Sequence, residues 1–221
     1  MNSDYFELIN KLVIPATLDT LYMVFFASLF AIFFGLLLGI ILYITPKGGI
    51  YEMPALHEAL NFIVNVGRSI PFVILMIAVF PLSGLLVGTV IGSTATIVPL
   101  TIASIPFVGR VIENALLELD KGVIEAAMSF GASNFEVVFK VLIPETAPAI
   151  VNGITLTIIS IIGYSAMAGY VGGGGLGDVA IRYGFIKYRM DILYTTIVIM
   201  VILVQIVQVI GDFVSSKLNK R

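Results

Sequence analysis

Residues 21–44 read LYMVFFASLFAIFFGLLLGIILYI, an apolar run without a single charge, bounded by Asp19 and Lys47. A helix rises about 1.5 Å per residue, so roughly 20 such residues cross the hydrocarbon of a bilayer. The same kind of gap recurs between Arg68 and Arg110, between Glu145 and Asp178, and between Asp191 and Asp212. The Arg68–Arg110 gap is long enough for two crossings, and each of the others for one. Backbone polar groups cannot stay unpaired in lipid, so these runs are expected to be helices. The expectation is an all-α integral membrane protein, one transmembrane domain over residues 1–221. Its five spans lie at about 20–44, 60–81, 88–109, 147–171 and 191–213.

Composition agrees. Of 221 residues 59% are hydrophobic and 12% charged, with a mean hydropathy of +1.08. Soluble domains are about a quarter charged. The net charge of −2 comes without a basic block, which gives no reason to invoke nucleic acid. With no cysteine, neither disulfides nor thiolate metal sites arise. The first span carries Ala27, Ala31, Gly35 and Gly39 at four-residue spacing, a stripe that lets helix backbones approach closely in lipid. A turn is expected at Pro81-Leu82-Ser83-Gly84, and Pro99 and Pro106 are expected to bend the third span.

Near the N-terminus Asp4, Glu7 and Asp19 outnumber Lys11, and residues 21–44 exceed the length of a signal-peptide core, so they read as a permanent span. Five spans put the termini on opposite sides. One choice gathers Lys47, Arg110, Lys121, Lys140, Lys217, Lys220 and Arg221 in the cytoplasm, leaving Lys11, Arg182, Lys187 and Arg189 outside. That bias favours an outer N-terminus and a cytoplasmic C-terminus.

Residues 110–145 differ in character, with charges of both signs on an amphipathic pattern. Glu125 to Phe130 read as a helix, and Gly131 stands where a helix end favours a left-handed residue. Ser133-Asn134-Phe135-Glu136 has the form of a capping box, which starts a second helix. There Phe135, Val138, Phe139 and Leu142 recur on one face, and Pro144 is expected to end it. From these residues alone, a helix lying on the bilayer surface and a protein-docking element stand equally open.

Glu125-Ala126-Ala127, then Gly131, then Val141-Leu142-Ile143-Pro144 resembles the EAA loop of ABC-importer permeases, with conservative replacements at Val141 and Ile143. Over nearly the whole chain the sequence is similar to the permeases of methionine ABC importers. That likeness rests on Arg68-Ser69-Ile70-Pro71-Phe72, Ile97-Val98-Pro99-Leu100-Thr101 and residues 113–118, and above all on residues 163–169 and Gly174-Gly175-Leu176-Gly177. Ala168 and Tyr170 depart from the smaller residues usual in that group.

The resemblance implies a bacterial inner-membrane permease, not an enzyme, that forms a homodimer with the translocation path between its copies. It implies two copies of a separate cytoplasmic ATP-binding subunit and an extracytoplasmic methionine-binding protein. Glu125, Ala126, Ala127, Gly131, Phe135 and Pro144 would form the coupling element. Tyr164, Ser165 and Met167 would be gate or pathway residues, with ordinary packing the alternative for Met167. No cofactor is implied. The chain lacks a phosphate-binding Gly-x-x-x-x-Gly-Lys-Ser/Thr loop, in line with a separate ATPase.

Arg68, near a span interior, reads either as a functional charge or as a side chain snorkelling to the interface. His57 with Glu52 and Glu58 reads as a solvated turn rather than a metal site. Gly172, Gly174 and Gly177 fit a dinucleotide fingerprint by spacing, but a span precedes them instead of a strand. They read as a flexible exit on the outer side, where the binding protein would dock. A permease for another small amino acid or peptide, and a stand-alone secondary transporter, are the rival functions.

Overall fold

The structure, a computed structural model, describes residues 2–219; Lys220 and Arg221, counted above toward the cytoplasmic side, lie outside them. Among the described residues every regular element is a helix. In order they are α1 (Asn2–Leu8), α2 (Ile14–Ile44), α3 (Pro54–Ser69), α4 (Phe72–Val87), α5 (Ser93–Leu117) and α6 (Lys121–Ser129). There follow α7 (Asn134–Glu136), α8 (Ile143–Tyr170), α9 (Gly175–Val179) and α10 (Met190–Leu218). Wider π-helical turns occupy Ile9–Val13, Val137–Leu142 and Ala180–Ile186. Four of the resulting helices are long and apolar enough to cross a bilayer, or five if the bent pair α3 and α4 counts as one crossing.

Prolines explain most departures from the expected boundaries. The second span is not one helix over 60–81 but two, parted at Ile70-Pro71. The residue before a proline is pushed out of the helical region, and Pro71 starts α4 with extended backbone (φ −56°, ψ 131°). Pro81, expected to stop the helix, lies inside α4, which ends where Gly88 adopts φ +77°. Pro144 does not terminate the second loop helix either, because residues 134–170 form one continuous helical run. A proline ring collides with the carbonyl four residues back, and a widened turn relieves that collision. Such turns immediately precede both Pro15 and Pro144. The segment 178–191, between the fourth and fifth expected spans, is largely helical.

The chain packs as two compact units. Among the described residues one comprises 2–30, 70–103 and 158–207. Its core gathers Val13, Ala16, Leu176, Val179 and Ile192, and the hydroxyls of Tyr5 and Thr195 meet at 2.8 Å. The glycine-rich segment belongs to this unit and is held fast, which corrects the reading of a flexible exit. Leu176 N–H donates to Thr20 Oγ1 (2.8 Å), Gly92 N–H to Gly172 O (2.9 Å) and Thr96 Oγ1 to Gly173 O (3.3 Å). A Cβ on Gly177 would lie 2.2 Å from Ala166 O, so backbone approach rather than mobility accounts for that glycine.

Among the described residues the other unit comprises 31–69, 104–157 and 208–219. Here the small residues of α2 admit α5: a Cβ on Gly35 would meet Val108 Cβ at 2.4 Å, and one on Gly39 would meet Ile112 Cβ at 2.6 Å. Gly109 of α5 accepts Leu38 in the same way. Close packing of this kind is what holds helices together where lipid removes the hydrophobic drive. Gly153 abuts Val111, and Gly211 abuts Thr155. Large apolar side chains such as Phe25, Phe33, Leu37, Ile74, Val201 and Ile210 remain exposed. Water tolerates little such surface on a monomer, whereas lipid tails accommodate it.

Candidate functional site

The segment between α5 and α8 is built as a compact two-helix turn. Asp120 caps α6 by accepting from Gly122 N–H at 2.7 Å. At the other end Gly131 N–H donates to Met128 O (2.9 Å) and Ala132 N–H to Ala127 O (3.1 Å). These two bonds form a Schellman closure, which requires a left-handed residue, and Gly131 supplies φ +88°. Two residues on, Ser133 and Glu136 complete the capping box: Glu136 N–H donates to Ser133 Oγ (3.3 Å), and Ser133 N–H donates to Glu136 Oε2 (3.1 Å). Lys140 Nζ joins Glu136 at 2.8 Å. Asn134 Nδ2 reaches Ile50 O (3.0 Å), tying the turn to the loop after α2.

Two depressions flank α6. One, of about 400 Å3, is bordered by Tyr43, Lys47, Ile50, Leu117, Lys121 and Glu125 among others. The second, of about 370 Å3, lies over Ala127, Phe130, Gly131, Glu136 and Lys140. Glu125 therefore borders the first, Ala127 and Gly131 border the second, and Ala126 is exposed. The apolar face read from Phe135, Val138, Phe139 and Leu142 divides. Val138 and Leu142 are buried, while Phe135 and Phe139 are 62% and 51% exposed, their ring centroids 4.5 Å apart. Phe130, at the end of α6, is 92% exposed. Phe130 had drawn no notice in sequence. A bulky aromatic one residue before a helix-ending glycine, with no intrahelical partner to pack on, is the signal that marks it. Pro144 lies two residues beyond the π turn, on the path into α8.

The residues expected at a gate are spread over different surroundings. Tyr164 is half-buried, stacked on Phe72 with centroids 4.4 Å apart and planes at 12°. Ser165 is buried, and its hydroxyl donates to Ile162 O at 2.7 Å, so it is satisfied within its own helix. Met167 is 50% exposed. Arg68 lies exposed in the last turn of α3, where a cation complements the helix dipole. His57 Nδ1 is 3.1 Å from Leu42 O, so it links α3 to the end of α2.

A polar cluster that charge counting could not reveal sits on α5 and α3. Arg110 pairs with Glu113 at 2.7 Å and donates to Asn61 Oδ1, and also to Asn65 Oδ1 at 3.1 Å. The side chains of Arg110 and Glu113 are only 20% and 9% exposed.

Comparison with known proteins follows the same lines. Residues 31–221 match the family model described as binding-protein-dependent transport system inner membrane component. The probable D-methionine transport system permease protein MetI of Vibrio cholerae is 50% identical over 99% of this chain and 97% of its own. The methionine import system permease protein MetP of Bacillus subtilis is 44% identical over 100% of this chain and 97% of its own. A solved chain of the MetNI methionine ABC transporter, in an inward-facing conformation, superposes with a TM-score of 0.94 at 42% identity, covering 97% of this chain and 99% of that one. With its apolar helices and its exposed two-helix turn, the chain belongs to the inner-membrane components of binding-protein-dependent transport systems.

Proposed function

We propose that this chain is the permease subunit of an ATP-driven methionine importer, coupled to its ATPase through residues 121–142. The observation that carries the reading is the turn itself. In a chain whose long helices are otherwise apolar, one rigid, capped and exposed element presents Phe130, Phe135 and Phe139 together with Glu125 and Lys121. Exposed aromatics beside fixed charges are what a protein-docking surface needs. Methionine as cargo is supported by the names of the Vibrio and Bacillus relatives, which align with this chain nearly end to end.

In this reading residues 1–221 act as one transmembrane domain, with α2, α5, α8 and α10 each contributing to both compact units. The N-terminus is outside and the C-terminus cytoplasmic. Lys47, Arg110, Lys121, Lys140 and Lys217 all fall in the unit that carries the docking turn, and Lys11, Arg182, Lys187 and Arg189 all fall in the other. That segregation supports the orientation. Two copies of the chain enclose the path, a separate ATP-binding subunit docks on each, and a methionine-binding protein delivers substrate from outside.

In the mechanism, ATP-driven movement of the ATPase displaces α6. The Schellman closure and capping box transmit that displacement without bending, because both ends of the turn are hydrogen-bonded. Residues 134–170 then carry it into α8 along one uninterrupted helix. Tyr164 and Met167 face the path as an uncharged, polarizable lining suited to a zwitterion with a thioether tail. Ser165 supports them from within the packed helix. Phe72 fixes the plane of Tyr164 by stacking.

The test is reconstitution of the chain with its ATPase and binding protein in vesicles, followed by uptake of labelled methionine. ATP-dependent uptake that excess unlabelled methionine abolishes is the expected result. Competition by an unrelated amino acid or peptide, with none by methionine, would replace the cargo. Uptake without ATP would remove the importer reading.

A further inference from the structure

Arg110 occupies an uncommon position, a largely buried guanidinium whose partners come from two helices. Glu113, one turn on along α5, neutralises its charge at 2.7 Å. Asn61 and Asn65, one turn apart on α3, accept from its Nη2. Asn65 Nδ2 lies 3.4 Å from Asn61 Oδ1, so the two amides act as one receptor. A guanidinium is a planar fork of donors: Nη1 is held by Glu113 on α5, so Nη2 is aimed at the two asparagines and fixes the rotation and sliding register of α3. An apolar contact of the same size fixes neither so closely. One turn earlier, α3 and α5 already touch apolarly, since a Cβ on Gly67 would meet Pro106 Cγ at 2.9 Å. The polar clamp therefore adds to an apolar contact between the same two helices.

Its surroundings indicate a purpose. From Arg110, α5 continues to Leu117 and then turns at once, with Glu118 N–H on Ala115 O and Leu119 N–H on Leu116 O, both 3.4 Å. Asp120 immediately caps α6. No slack separates Arg110 from the docking helix. On the other side of the clamp, α3 ends at Ser69, and the break at Ile70-Pro71 separates it from α4. The helix that Arg110 grips is thus short and discontinuous with the rest of its span.

We propose that Arg110 is a positioning residue for energy coupling: it makes α3 follow α5 and α6, so that displacement of the docking helix moves the first half of the broken span. The proposal rests on the reading of the chain as an ATP-driven permease and deepens it. Neither Arg110 nor its asparagine partners contact the ATPase or the substrate in this scheme.

Two variants test it in vesicles that contain the ATPase and the binding protein. The first, Arg110→Met with Glu113→Leu, removes both charges together and leaves neither one buried alone, a replacement that buried ion pairs commonly tolerate. The second, Asn61→Leu with Asn65→Leu, leaves the α5 ion pair intact and removes only the grip on α3. The readout is ATP hydrolysed per methionine imported. The expected result is assembled complexes that hydrolyse ATP within about twofold of wild type but consume at least roughly tenfold more ATP per methionine, equivalent to a coupling loss of about 1.4 kcal/mol. Arg110→Lys, which keeps the charge without the fork, should fall between. A ratio within about twofold of wild type in either assembled variant overturns the proposal. So does loss of assembly in both, since the cluster would then be structural. If wild type itself shows no ATP-dependent uptake, it is the transport reading that fails, and the proposal falls with it.

Discussion

Truncating Phe130 to alanine isolates the docking surface from the fold. The ring is 92% exposed, so within the chain it contributes almost no packing. The backbone work at that position is done by its N–H on Ala126 O (3.1 Å), which alanine keeps. Full burial of a phenylalanine side chain is worth roughly 1.5–3 kcal/mol relative to exposure. A ring that starts 92% exposed and is covered by the ATPase should realise most of that. A loss of about 2 kcal/mol corresponds to a Kd roughly 30-fold weaker. Binding of the purified ATPase to detergent-solubilised permease, measured by biolayer interferometry, reads this directly. Thermal unfolding of the Phe130→Ala permease alone should match wild type within about 1 °C, because surface substitutions usually change stability little. A Kd within about threefold of wild type would refute the assignment of Phe130 as an anchor. Weakened binding that comes with a lower Tm would refute the claim that the side chain acts only at the interface.

Gly131→Ala meets no atom within 4 Å, yet must hold φ +88°, so its cost is purely conformational, about 1–2 kcal/mol. Thermal scans of the permease in detergent should show a Tm lowered by a few degrees, with Gly131→Asn closer to wild type. At Gly177 the problem is space, since a Cβ would sit 2.2 Å from a backbone carbonyl, whereas Gly163 has nothing within 4 Å. Fluorescence-detected size-exclusion chromatography should therefore show Gly177→Ala aggregated or poorly expressed and Gly163→Ala monodisperse. Met167→Ala should raise methionine leak from ATP-free vesicles or lower uptake by several-fold, and unchanged leak, uptake and ATPase activity would place Met167 in ordinary packing.

The parts of this structure that could be read in advance are those that chemistry makes local. Charge-free runs must be helical in lipid, and the helices came where those runs were. Gly131 and the Ser133–Glu136 pair were legible because a helix end needs a left-handed residue and a helix start needs a side-chain acceptor within three residues. Pro81 and Pro144 were read as stops, yet helices run through both, and the break falls at Pro71, inside what read as one span. Pro144 is absorbed by the π turn at Val137–Leu142, which relieves the collision of its ring with the preceding turn. The glycine run at 172–177 looked mobile because glycine permits many conformations. It is fixed because Thr20 and Thr96, distant in sequence, and Ala166, in the preceding helix, crowd it. Asn61, Asn65 and Arg110 carried a faint signal, two amides one turn apart and a charge closing a span, but only the fold joins residues 45 and 49 positions apart. Phe130 carried only the faint signal of an aromatic beside a helix-ending glycine, and the chain itself leaves it 92% exposed.

In the proposed function the chain converts ATP hydrolysis on another subunit into methionine import. The most direct measurement uses one set of vesicles containing the permease, its binding protein and the ATPase, assayed in parallel with an ATPase whose hydrolytic site is inactivated. Methionine uptake is expected with ATP and the active subunit, and none with the inactive subunit even when a proton or sodium gradient is imposed. Uptake that persists with the inactive subunit, driven by the gradient, would contradict it.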